Sequence, residues 1–262
     1  DAASRIANAP LLDVAGWQAV MAEAGFSRMD AVGLPGEARE RLSLQLDSFP
    51  NFFVMDSYSS TREDLGLAYV RFPIHLGIVS YRICFVSPQQ QAAVASVTTL
   101  DQLKQFTLGQ GKGWLDVHIL RQAGFKVQEV EGYELLFKMV ARGRFALFCR
   151  GINELPQEKL NHKGIKGLVM DENIAFYYPL PRVFFTHNAN RQAIQRVQAG
   201  LKAAWRDGSL QAHWLKTFKP SLAFAHLRIV LDVGRQKVSG CGMGQRLTVT
   251  APVAVDAHVQ VL

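Results

Sequence analysis

The stretch "GRFALFCRGINE" (143–154) is apolar from Phe145 to Phe148 and then turns polar at once. Cys149 is followed by Arg150, Gly151 and, at position 154, a glutamate. A guanidinium is a planar fork of N–H donors that suits a carboxylate, and a glutamate accepts from a cation or acts as an acid or base. Arg150 and Glu154 therefore either hold a small polar or anionic solute at a strand tip, or close on each other as an ion pair. A second stretch, "GQGKGWLD" (109–116), places three glycines just ahead of a helix. Backbone N–H groups in such a loop can approach an anion, helped by the helix dipole. Its spacing matches no phosphate-binding loop. Gly111, Trp114 and Asp116 are the candidates there. Asp116 has the alternative role of a favourable charge in the first helical turn, and Trp114 that of ordinary packing.

Other chemistries find little support. The histidines stand singly at 75, 118, 162, 187, 213, 226 and 258, without metal-ligand spacing. No Ser–His–Asp or Cys–His arrangement is visible, and Cys149 has no evident base. Cys84, Cys149 and Cys241 are an odd number with no Cys-x-x-Cys, so a complete disulfide framework is excluded while one pair remains open. Cys84 lies in an apolar strand pattern and reads as a small core residue.

The elements that must position these residues follow from periodicity. Helical spacing is present over 10–25 and again from Gly36. "NFFVM" (51–55), "GIVSYRICFV" (77–86) and "VFFTHN" (183–188) read as strands. Between them, helices and strands alternate: a Thr-capped helix at 98–105, "FTLGQ", a helix over 114–123, "KVQEV", a helix over 133–142 and "FALF". This rhythm predicts α/β architecture with largely parallel sheets. Helices follow at 189–205 and 209–218. From 247 to 261 every odd position is apolar, the period of a strand, although Pro252 requires an edge or a break.

With 262 residues the chain can bury two cores, and 48% hydrophobic with 19% charged residues describes a folded globular protein. No run approaches the roughly 18 apolar residues of a membrane span. The net charge is +7, but the basic residues are scattered and not interleaved with stacking aromatics, so no nucleic-acid partner is expected. Asp1 is preceded by no basic-then-apolar leader, as in a processed or trimmed chain.

The order and spacing of several strings carry a resemblance over about residues 10–228. They are "SSTRE" (59–63), "GIVSYRICFV", "TTLDQLKQFTLGQGKGWLD" (98–116), "GYELLFKMVARGRFALFCRGINE" (132–154), "AFYYPLPRVFF" (175–185) and "NRQAIQRVQAGLKAAWRDGSLQAHW" (190–214). Together they resemble the type II periplasmic solute-binding proteins, in a less characterised branch of the polar amino-acid class. The resemblance implies a two-lobe α/β fold with a central cleft and two hinge crossovers. Lobe 1 would be 1–87 plus 184–228 and lobe 2 88–183; residues 229–262 lie outside the resemblance, and the period-2 pattern over 246–261 predicts a strand added to the first lobe's sheet. The resemblance also implies an extracytoplasmic, periplasmic protein, a monomer, that captures a small-molecule ligand by lobe closure for an ABC transporter permease, with no cofactor. Ser59 and Arg62 match the family segment that clamps a carboxylate, although its glutamate is missing. Tyr58, Tyr133 and Tyr178 are candidate cleft walls or packing residues. Where relatives carry an ammonium-binding aspartate, this chain has the Cys149-Arg150-Gly151 tip, so the ligand is not expected to be a standard α-amino acid held that way. A dehydratase on the same fold, with Glu154 as acid or base, a sensor module and a degenerate module are the alternatives.

Overall fold

In the computed structural model the described residues are 53–59, 66–225 and 229–233. The expected helices at 10–25 and from Gly36, Arg62, and the alternating tail lie outside them. The chain divides into two compact units. In described residues, the first comprises 53–59, 66–76 and Pro181–Lys219, and the second Gly77–Leu180 with 220–225 and 229–233.

In the first unit, β1 (Val54–Ser57) and β2 (Leu67–Tyr69) flank β9 (Arg182–His187), all antiparallel. Helix α6 (Arg191–Arg206) buries Val197, Leu201 and Ala204, an i, i+4, i+7 stripe. That stripe packs against Val70, Phe72, Ile74 and Leu76, with Leu210 from α7 (Ser209–Leu222) beside it. Tyr58 is buried with Val54, Leu67, Tyr69, Val183 and Phe185, its ring stacked at 6.5 Å on Phe185.

The second unit is a larger sheet in the order β10-β8-β3-β6-β4-β5. Its strands are β3 (Tyr81–Val86), β4 (Thr107–Gly111), β5 (Lys126–Val130), β6 (Leu147–Gly151), β8 (Ile174–Tyr177) and β10 (Ile229–Asp232), with β7 (Val169–Met170) against β3. Helices α1 (Gln91–Ala95), α2 (Leu100–Leu103), α3 (Leu115–Gln122), α4 (Tyr133–Ala141) and α5 (Leu155–Asn161) connect them. The Thr cap of α2 is a full capping box with Gln102. Phe137 of α4 wedges edge-on between Phe85 and Phe148, 5.3 and 5.0 Å away. The centre of this sheet is therefore a strand pair roofed by aromatics.

Two sequence expectations are corrected. The sheets are not largely parallel: β4 runs parallel to β5 and β6, and β10 to β8, but β3 is antiparallel to β6, β7 and β8. Residues 77–87 fall in the second unit, because β3 pairs along its length with β6. Strand β10, ahead of the alternating segment, pairs with β8 of the second unit; the strand expected over 246–261 lies outside the described residues.

Candidate functional site

Strands β4 and β6 are parallel neighbours, and beyond their carboxyl ends begin α3 and α5. Open α/β sheets present ligand sites at such ends. Strand β3 runs the other way, so its second residue, Arg82, lies opposite Gly151 at the tip of β6. One end of the sheet thus gathers Arg82 from β3, Arg150 from β6, Asp116 from the first turn of α3, and Glu154 and Glu158 from the N-terminus of α5.

Their contacts form a continuous chain. The phenol of Tyr178 donates to Asp116 Oδ1 at 2.5 Å, and Arg82 Nη2 reaches the same oxygen at 2.9 Å. Arg82 Nη1 lies 3.9 Å from Glu154 Oε2, which also accepts the Gly151 N–H at 3.0 Å. Glu154 Oε1 accepts from Arg150 Nη2 at 2.7 Å, and Glu158 Oε1 accepts from Arg150 Nε at 2.6 Å and from the Tyr133 hydroxyl. Rings cover both guanidinium groups. Arg82 Cζ sits 5.0 Å from the Tyr178 ring centre, and Arg150 Cζ lies 4.9, 5.3 and 5.8 Å from those of Trp114, Tyr133 and Phe148.

The cluster is almost dry: the side chains of Arg82 and Glu158 are 3% and 2% exposed, and Arg150 only 11%. Burial works against the charge of Arg150, yet Glu154 and Glu158 outweigh it and hold the guanidinium protonated well above its ordinary range. Burial raises the Glu158 carboxyl above its usual value, against the pull of Arg150. Burial also drives the Tyr178 phenol far up, so it stays a donor. Arg82 Nε, Glu158 Oε2, Asn153 Oδ1 and Gln110 Oε1 are buried without a hydrogen-bond partner.

The structure brings Arg150, Glu154, Asp116, Trp114 and Gly111 together. Arg150 and Glu154 are bonded to each other. Gly111 is not part of an anion nest: the N–H groups of Lys112, Gly113 and Trp114 bond to Val130 O, Glu129 and Gly111 O. Its role is steric, since a Cβ there would fall 2.2 Å from the Trp114 indole. Tyr58 and Ser59 lie in the first unit, Tyr58 in its core rather than as a wall.

Arg82 and Glu158 were missed by the sequence reading. The signal for Arg82 was present: one arginine inside "GIVSYRICFV" must find a partner once buried. Cys84 is more than a core residue, for it is disulfide-bonded to Cys149, its cross-strand partner, with both buried. A separate depression of about 580 Å3, lined by Ser87, Gln105, Thr107, Arg142, Arg144 and Phe145, lies at the other end of these strands. It has no part in the cluster.

Solved structures place the fold. An ancestral arginine-binding protein bound to glutamine matches with a TM-score of 0.58 at 15% identity, covering 79% of this chain and 87% of that one. A periplasmic His/Glu/Gln/Arg/opine family-binding protein from Silicibacter pomeroyi, in complex with lysine, matches at 0.58 and 12%, covering 82% and 94%. The chain has the fold of the type II periplasmic solute-binding proteins. A structure concerning glutathione import via GshT and the cystine ABC importer TcyBC of Streptococcus mutans matches at 0.53 and 13%, over 77% and 84%. No family model matches the sequence, and no curated protein matches it. Among the described residues, no helix is long and apolar enough to cross a membrane.

Proposed function

We propose that the chain is an extracytoplasmic, non-enzymatic solute-binding protein. It captures a small polar or anionic solute, amino acid-like or a carboxylate, by lobe closure and presents it to an ABC transporter permease, acting as a monomer. The observation that carries this reading is the buried cluster of charge and aromatic rings at the carboxyl ends of β4 and β6. That is where this class of sheet places ligands, on a fold whose solved neighbours are named for glutamine, lysine and arginine binding. A buried disulfide fits an oxidising compartment. Glu154 is held by Arg150 and the Gly151 amide, which supports a positioning role over proton transfer.

A thermal-shift screen against amino acids, small carboxylates and short peptides tests the reading. A true ligand at 100 times its dissociation constant adds about 2.7 kcal/mol to stability. A clear rise with one chemical class is expected. Silence across the whole panel, or turnover of a cyclic carboxylate such as prephenate, overturns it.

A further inference from the structure

Arg150 has the surroundings of a cation in an aromatic cage. Three rings from three elements close on its guanidinium: Trp114 ahead of α3, Tyr133 at the start of α4, and Phe148 two residues earlier in β6. Aromatic faces around a cation, combined with carboxylates at its N–H edges, are how a guanidinium is recognised in water-poor surroundings. Glu154 takes Nη2 and Glu158 takes Nε, at 2.7 and 2.6 Å. Two carboxylates face this one side chain, and Glu158 Oε2 remains buried without a hydrogen-bond partner.

We propose that Trp114, Tyr133, Phe148, Glu154 and Glu158 form a guanidinium-binding cage whose resident occupant is Arg150, and that the cage accepts free guanidinium once this side chain is removed. The rings are fixed independently of Arg150. Trp114 is seated over Gly111, Phe148 is locked by Phe137, and Tyr133 packs edge-on against Phe137 at 5.2 Å. The acids are carried by the first turns of α5 and tied by the Gly151 amide and the Tyr133 hydroxyl. Combined with the solute-binding reading, on which this extension rests, the filled cage assigns the solute to molecules without a cationic side chain, because that subsite is already taken.

The test is chemical rescue. Arg150→Ala is compared with the unchanged protein by thermal unfolding in millimolar guanidinium chloride, far below denaturing concentrations, with methylammonium and sodium chloride as controls. The variant melts lower and regains several degrees, saturably, with guanidinium. Methylammonium gives less, since it lacks the planar fork, and sodium gives nothing. If Arg150→Ala is unfolded alone, guanidinium-dependent recovery of its native circular dichroism supports the cage equally. Arg150→Ala/Glu158→Gln, which removes the carboxylate left without its cation, folds and binds guanidinium roughly tenfold more weakly, a loss of about 1.4 kcal/mol. No saturable rise in either variant, or an equal rise with sodium, overturns the cage whatever the solute screen gives. If rescue succeeds but lysine or arginine stabilises the unchanged protein as well as glutamine does, the cage stands and the assignment of solute class fails.

Discussion

His75 shows at the level of one residue how burial fixes a protonation state. Both ring nitrogens are buried without a hydrogen-bond partner, and the ring meets Phe218 edge-on at 5.6 Å. Burial first, and Arg182 second, lower its pKa from 6.5 to about 3. The unfolded chain therefore takes up a proton near pH 6.5 that the folded chain refuses until about pH 3. Stability from this group is complete above pH 6.5 and falls as the pH drops toward 3, by up to ~1.4 kcal/mol per pH unit. Urea denaturation at stepped pH checks this, and His75→Leu is expected to flatten the slope over that window. Arg82 shows what sequence hides at the same scale. A lone arginine in an apolar strand announces that it needs a partner but not which one, and Asp116 lies 34 positions away in sequence. Arg150 and Glu154, four residues apart, were legible as a pair. The choice between ion pair and ligand contact depends on Glu158 and three rings that arrive only with the fold.

At the level of elements, alternation and capping carried most of the second unit. Strand β5 matches its expected bounds, α2 has its Thr cap, and α3 and α4 fall within a residue or so of the periodic segments. Strand direction was not legible. Apolar runs specify burial but not polarity, and the antiparallel pairing of β3 with β6 depends on contacts 65 positions apart in sequence. That pairing is fastened by Cys84–Cys149, one ladder pair inward from Ile83 and Arg150. A cross-link over this separation stabilises by about 4 kcal/mol through the entropy of the unfolded chain. Replacing both cysteines by alanine is expected to lower the urea midpoint accordingly and to abolish the sensitivity of that midpoint to reductant. An unchanged midpoint would show that the strand pair needs no fastening.

For the molecule as a whole, the observed division differs from the expected one at each boundary, and residues 220–225, expected in the first lobe, belong to the second unit. Residues 77–87 join the second unit because a strand belongs with the sheet that hydrogen-bonds it, and Pro181–Val183 join the first for the same reason. The tail matters here too. Strand β10 covers the edge of β8 with a four-residue parallel ladder, Ile229 against Ile174 through Asp232 against Tyr177. Truncation after residue 228 uncovers that edge, and an unpaired strand edge is a template for association. The shortened protein is expected to unfold at lower urea and to scatter light at concentrations where the longer chain stays clear. Equal midpoints and equal scattering would remove β10 from the list of elements that hold the second unit.

One face of β4 has a consequence for how this chain can vary. Gly109 and Gly111, two apart and so on the same side of the strand, are each overlaid by a ring; a methyl group would sit 2.2 Å from Phe145 at one and from Trp114 at the other. The strand is bare there because indole and phenyl occupy the room that side chains would fill. Glycine and ring thus vary together: a descendant that gains an alanine at 111 must displace or replace its tryptophan, and with it one wall around Arg150.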